Sequence, residues 1–199
     1  MKFKPLDQVG WSHEQSVSPR QFRCGFCDHS VASTAGWITN QHSNYEIRIC
    51  PLCKRPTYFE VGTQFPGVAA GSAVAELPSE IESIYNEARV CCSVGAYTAA
   101  VLSLRKLLMN IAVNLKAPQG GSFISYIEYL ASAGYVPPNG KGWVDHIRKK
   151  GNEANHEITL MTKADAEELI VFSEMLLKFI YEFPKRVPHA QDDAVRRTL

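Results

Sequence analysis

The sequence predicts a mainly α protein: a five-helix bundle behind a small N-terminal β module. Three observations carry this reading. Residues 79–184 hold helical periodicity almost throughout, and residues 1–61 hold four of the six cysteines with short β-like runs. Residues 62–78 between them are small and Gly/Ala-rich, the composition of a linker. Beyond Pro184, residues 185–199 read as a loosely held tail. With 199 residues, 45% hydrophobic and 21% charged, the chain has globular composition. Its most apolar run, Leu169 to Ile180, is interrupted by Ser173, Glu174 and Lys178 and makes no membrane span. The N-terminal Met-Lys-Phe-Lys-Pro-Leu-Asp-Gln lacks the apolar core of a secretion signal, so the expected location is cytoplasmic. A formal net charge of +1 gives no global basic field of the kind nucleic-acid binders carry.

In the first module, Cys24-Gly-Phe-Cys27 and Cys50-Pro-Leu-Cys53 are two Cys-x-x-Cys turns separated by 22 residues. Each turn aims two sulfurs at one point, and two such turns supply the tetrahedral thiolate shell that Zn²⁺ takes in a closed structural site. Redox dithiols and an iron–sulfur site compete for the same pattern; the spacing favours zinc. Tyr45 to Cys50 alternates as a strand running into the second turn, and Thr57 to Val61 forms its hairpin return. The module is therefore read as a zinc ribbon over 1–61, with Cys24, Cys27, Cys50 and Cys53 as ligands and the metal in a structural role. His29 and His42 are expected on the surface. One Zn²⁺ on four thiolates subtracts two from the formal charge and leaves −1. Near the ligands lie Arg23, Arg48, Lys54 and Arg55 with Phe26, Trp37 and Tyr58. These side chains suit a single-stranded nucleic-acid platform, or else a small aromatic core with cations offsetting the site's charge; the second reading is preferred.

The helices follow from their caps. Ser79 opens the first, with Glu82 closing a capping box, and Gly95 stops it after Val94. In that helix Cys91 and Cys92 read as buried small hydrophobes. The second runs from Tyr97 to about Lys116, before Pro118; the third from Ser122 to Gly134. A fourth covers Trp143 to about His156, and a fifth runs from its Thr162 cap to Pro184. On the second helix, Arg105 falls on the side of Val101, Leu104, Leu108 and Ala112. A guanidinium there needs a partner, and Glu87 on the first helix is the candidate, either as a structural clamp or as part of a polar pocket. On the fourth helix, Arg148, Asn152 and His156 recur at four-residue intervals along one polar face. Such a set can hold a phosphate and move a proton, or form an ordinary solvated face. The fifth helix is apolar over more than half its circumference: Leu169, Leu176 and Ile180 are flanked by Ile170, Leu177, Phe172 and Phe179. That surplus predicts a homodimer.

Three segments, Leu77-Pro-Ser-Glu-Ile with Tyr85 to Arg89, Gly95 to Ala100 with Leu104 to Leu108, and Ile147-Arg-Lys-Lys-Gly-Asn-Glu-Ala-Asn-His156, resemble the bacterial domain-of-unknown-function family 4145. That family is similar to HEPN domains, helical bundles of prokaryotic immunity and toxin systems, and also occurs attached to restriction enzymes. The resemblance implies a HEPN-like five-helix bundle over 79–184. Catalytic HEPN ribonucleases pair two Arg-polar-x-x-x-His motifs across a dimer and cut RNA without metal through the ribose 2′-hydroxyl. Here Asn152 matches the polar position and His156 the histidine; Gly151 stands at the arginine position, with Arg148 three residues earlier. Two function classes follow. The first is a nucleic-acid-binding or protein-interaction module in prokaryotic defence or phage counter-defence, with RNA, DNA or a protein of a defence or restriction system as partner. The second is a metal-independent ribonuclease with His156 as acid or base, Arg148 on the phosphate and Asn152 as orienter.

Overall fold

Five antiparallel strands form the first half of the described chain, in the order β1-β2-β3-β4-β5: Gln15–Arg23, Ser30–Ile38, Tyr45–Ile49, Pro56–Glu60 and Thr63–Phe65. The computed structural model describes residues 10–39, 44–136, 140, 142–145, 147 and 160–186. Four helical elements follow the strands: α1 (Ser79–Ser93), α2 (Tyr97–Asn114), α3 (Phe123–Ser132) and α4 (Lys163–Leu177). A π-turn over Lys178–Glu182 leads from α4 into a last short helix, α5 (Phe183–Arg186). Residues 142–145 are also helical. The chain divides into two units, 1–70 with 89–96, and 71–88 with 97–199. Among the described residues no helix is long and apolar enough to cross a membrane.

The expected fold class is corrected here. In place of a mainly α, five-helix HEPN-like bundle with a small zinc ribbon, the N-terminal part is a five-stranded sheet that starts at Gln15. The first two strands escape a hydrophobicity reading because the sheet's inner face is built from polar side chains. Buried there are Ser33, Glu46, Arg48 and Thr57, beside Val31 and Phe59. Glu46 and Arg48 are only 6% and 4% exposed, and each binds the other side chain to side chain. Arg20 of β1 pairs with the same carboxylate. Arg48 Nη1 also donates to the Ser18 carbonyl at 2.6 Å, and Ser33 Oγ donates to the Ile49 carbonyl at 2.7 Å. The sheet curls: the Arg20 guanidinium of β1 lies 3.8 Å from the Phe59 ring centroid of β4, with two strands between them in the sheet, and Phe22 meets Phe59 edge-on at 5.3 Å. Gly36 makes room for that curl, since a Cβ there would come within 2.0 Å of the Ile47 carbonyl oxygen.

The helical unit is built the other way. Leu104, Leu107, Leu108, Ile111, Ile127, Leu130, Ile170, Phe172, Leu176 and Leu177 are all fully buried, and α2 packs against both α3 and α4. α4 starts where the sequence places it: Thr162 Oγ1 accepts from the Asp165 N–H, and the Asp165 carboxylate accepts from the Thr162 N–H at 2.9 Å. α1 begins at Ser79 itself. Most of the apolar circumference of α4 is used inside the chain, with Leu169, Ile170, Phe172, Leu176 and Leu177 buried, while Val171 and, in the π-turn that follows, Phe179 are exposed.

Helical structure continues through Pro184 rather than ending there. A proline in an α-helix clashes with the carbonyl four residues back and cannot donate to it. The π-turn relieves this by shifting the pattern, so that the Phe183 N–H reaches the Lys178 carbonyl five residues back. It also changes the phase. Eight residues at about 100° each would leave Glu174 and Glu182 about 80° apart on an uninterrupted α-helix, and one extra residue in a turn takes most of that back. Both carboxylates then reach the stretch read as linker: Glu174 Oε2 accepts from the Ser72 N–H at 2.8 Å, and Glu182 Oε2 from the Ala75 N–H at 2.9 Å. Tyr85 Oη donates to the Ser72 carbonyl at 3.0 Å, and Gly71, at φ +65°, leaves no room for a Cβ against Ile170 and Glu174. Residues 71–76 are thus a strap on the helical unit, while Thr63–Phe65 belong to the sheet.

Candidate metal centre

Both Cys-x-x-Cys turns lie at one end of the sheet, the first in the β1–β2 connection and the second in the β3–β4 connection. Antiparallel pairing of consecutive strands puts alternate connections at the same end, so the topology itself brings the two turns together. Each is held by the same two backbone bonds. In the first, Cys24 N–H donates to the His29 carbonyl and Asp28 N–H to the Cys24 carbonyl, both at 2.9 Å. In the second, Cys50 N–H donates to Arg55 at 3.0 Å and Lys54 N–H to Cys50 at 2.9 Å. The residue after each second cysteine turns the chain in the left-handed region: Asp28 at φ +65° and Lys54 at φ +58°.

The four sulfurs lie within 4.8 Å of one another, with Cys24 Sγ 3.7 Å from Cys53 Sγ and Cys27 Sγ 3.8 Å from Cys50 Sγ. All six cysteines of the chain are free thiols. A tetrahedron of thiolates about 2.3 Å from a central ion has edges of about 3.8 Å, so the residues present fit a four-thiolate metal ion. Burial pushes the Cys24 thiol up to about 11 and raises Cys53 further. At Cys50 burial is outweighed by the N–H groups of Cys53 and Leu52, and the thiol is lowered. Burial thus favours the thiol form of Cys24 and Cys53 when no cation lies among the sulfurs, which is the setting in which metal binding expels protons. His29 is exposed, with Nδ1 2.8 Å from the Cys27 carbonyl oxygen, and stands outside the sulfur cluster.

The first turn is also tied to the end of α1. Asp28 accepts from Arg23 Nη2 at 2.9 Å and lies 3.6 Å from Arg89 Nη2, while Arg89 Nε donates to the Ala70 carbonyl at 2.9 Å. Gly67 N–H donates to the Ser93 carbonyl at 2.8 Å, and Gly25 sits where a Cβ would come within 2.5 Å of the Pro66 and Gly67 carbonyl oxygens. Sequence reading missed Asp28 and Arg89, and it missed the Arg20–Glu46–Arg48 set, of which Glu46 and Arg48 are buried. A signal existed for the latter: Glu46 and Arg48 are two apart on a strand, which puts both on one face.

The other expected sites fall out unevenly. Arg105 is half-buried with its guanidinium over the Phe123 ring, 4.5 Å from the centroid, and burial lowers its affinity for its proton. Glu87 is exposed on α1. Cys92 is buried and Cys91 half-buried. Of the platform residues, Arg48 is turned inward and Tyr58 outward. Arg148, Asn152, His156 and His42 lie outside the described residues.

A family model described as Domain of unknown function (DUF4145) matches residues 86–196, more than half of the chain. The chain belongs to that family. No curated protein and no solved structure gives a significant match.

Proposed function

We propose that this member of the family is a non-enzymatic binding module, built on a zinc-stabilised sheet unit and acting in prokaryotic defence or phage counter-defence. The observation that carries the non-catalytic reading of the metal centre is the closed sulfur tetrad. Four thiolates at tetrahedral spacing fill every position of a zinc ion and leave none for water or substrate. When bound, zinc would supply charge neutralisation and a crosslink. The chain's own residues do the remainder: Cys24, Cys27, Cys50 and Cys53 hold the ion, and Asp28 joins the first turn to Arg89. The defence setting rests on the HEPN resemblance of the helical domain. A homodimer through that domain is part of the same proposal, with the exposed Phe179 and Phe183, edge to face at 5.3 Å, as side chains such a contact would cover.

Metal analysis of the purified protein tests the reading: about one zinc per chain, with no visible absorption, is expected. A chromophoric iron site, no metal, or a disulfide overturns the zinc centre. Incubation with structured RNA in EDTA separates the second function class. No cleavage is expected; cleavage leaving cyclic phosphate ends and lost in His156→Ala would establish the ribonuclease instead.

A further inference from the structure

The outer face of the sheet carries a continuous apolar row. Trp37 of β2 pairs with Ile47 of β3, Ile47 with Tyr58 of β4, and Tyr58 with Phe65 of β5. Directly opposed residues of antiparallel strands share a face, so these four side chains stand side by side. Tyr58 and Phe65 stack at 6.2 Å, and Trp11 extends the row by meeting Trp37 edge-on at 6.0 Å. Both indoles are fixed: Trp11 Nε1 donates to the Lys54 carbonyl and Trp37 Nε1 to the His13 carbonyl, each at 2.9 Å. Ile47, Tyr58 and Phe65 remain 36–47% exposed. Where the row meets Ile49, a cleft of about 300 Å³ opens, walled by Trp11, Pro51, Thr34, Glu14 and Lys54.

Charge selects the occupant. Single-stranded nucleic acid stacks on aromatic rings but needs cations along its phosphates. The arginines of this unit are committed elsewhere. Arg20 and Arg48 share Glu46, Arg23 and Arg89 share Asp28, and Arg55 lies over the Phe26 ring. Lys54 is the cation at the cleft. Two carboxylates border the row: Glu14 in the cleft, and Glu60, which follows Tyr58 by two residues on the same strand face. Neither forms an ion pair among the described residues. A polyanion is repelled by this border, and a basic segment is attracted.

We infer that this face docks an extended segment of a partner protein, with apolar side chains at alternate positions on the Trp37–Ile47–Tyr58–Phe65 row and basic residues against Glu14 and Glu60. Three strand spacings of about 4.8 Å and the step to Trp11 give about 20 Å, the length of about six extended residues. The inference deepens the binding-module reading and rests on it.

The test uses the full chain and two labelled peptides, Lys-Val-Thr-Leu-Thr-Phe-Lys and its Glu-flanked counterpart, with a fifteen-residue thymidine oligonucleotide. Fluorescence anisotropy at low salt should show the Lys-flanked peptide binding at least tenfold tighter than the Glu-flanked one, with the gap narrowing at high salt. Ile47→Ser and Tyr58→Ser, both on the exposed face, should each weaken binding about tenfold while metal content is unchanged. The indole N–H resonances of Trp11 and Trp37 should shift and that of Trp143 should not. Equal binding of the two peptides, preference for the oligonucleotide, no peptide binding, or indifference to both variants overturns the inference. Metal content measured on the same samples keeps the two readings apart. A metal-free protein that passes the peptide test loses the zinc module and keeps the docking face, and a zinc-loaded protein that fails it does the reverse.

Discussion

The two units bury opposite kinds of side chain. In the helical unit the interior is Leu, Ile and Phe, with Leu104, Leu107, Ile127, Leu130 and Phe172 fully covered. In the sheet unit the inner face buries the Glu46–Arg48 pair, joined at its edge by the partly exposed Arg20, with a serine and a threonine around a few apolar groups. Burying a leucine or phenylalanine contributes about 1.5–3 kcal/mol without regard to direction. A buried ion pair returns little beyond its own desolvation cost, but it demands one geometry. The helical unit is therefore held by volume. The sheet is held in register by directional bonds and needs another source of stability, which a metal ion held by the sulfur tetrad would supply. Apparent binding free energies at small structural zinc sites are about 10–16 kcal/mol, ample for that task.

Stripping the metal should break this comparison most visibly. A strong chelator at neutral pH should abolish the dispersed amide signals of residues 15–65 while the helical circular dichroism signal largely stays. Loss of both together would show that the units are not held independently. A core change should do the converse. Phe172→Ala removes a fully buried ring that stacks on Trp143 at 5.8 Å, and should cost about 3–5 kcal/mol in the helical transition while the metal-bound sheet keeps its amide spectrum. Glu46→Gln keeps the volume and removes the charge both arginines share. It should cost about 3 kcal/mol in the sheet's unfolding, read by denaturant titration of the zinc-loaded protein. A neutral result would mean that Arg20 and Arg48 find solvent as readily as Glu46.

The same contrast explains what the sequence made legible. The four-cysteine cluster and the start of α4 were readable because their signals are local: a two-residue cysteine spacing, and a capping box at Thr162 and Asp165. The alternation of Tyr45 to Ile49 was also readable, but not its phase. Hydrophobicity points Tyr45 and Ile47 inward; the structure turns Glu46 and Arg48 in and leaves Ile47 out. An interior closed by ion pairs inverts the usual rule, and β1, with Gln, Ser and Arg along it, gave no apolar period at all. The strap was unreadable for a different reason. Its partners Glu174 and Glu182 lie about a hundred residues away, and they share a face only because of a π-turn that no periodicity announces.

The strap gives the smallest expected effect and a pH dependence of definite sign. At Glu174, burial opposes ionisation, but the Lys178 ammonium and the Ser72 N–H outweigh it and hold the carboxyl below its ordinary 4.5. The folded chain therefore binds fewer protons than the unfolded chain between the lowered value and 4.5, so stability falls as protons are added. The contribution is complete above 4.5 and is lost as pH drops through the folded-state value. Protonation also takes away the ionised acceptor that the Ser72 N–H uses. Glu174→Gln keeps an oxygen for that N–H and loses the charge, so it should cost about 1 kcal/mol at pH 7 and nothing below the titration. Hydrogen exchange at the Ser72 amide is the measurement: protection in the native chain should fall between pH 6 and pH 3 relative to Ala75, while in Glu174→Gln it should be lower at pH 6 and flat. Equal profiles in the two proteins would mean that Tyr85 and Gly71 hold the strap without the carboxylate.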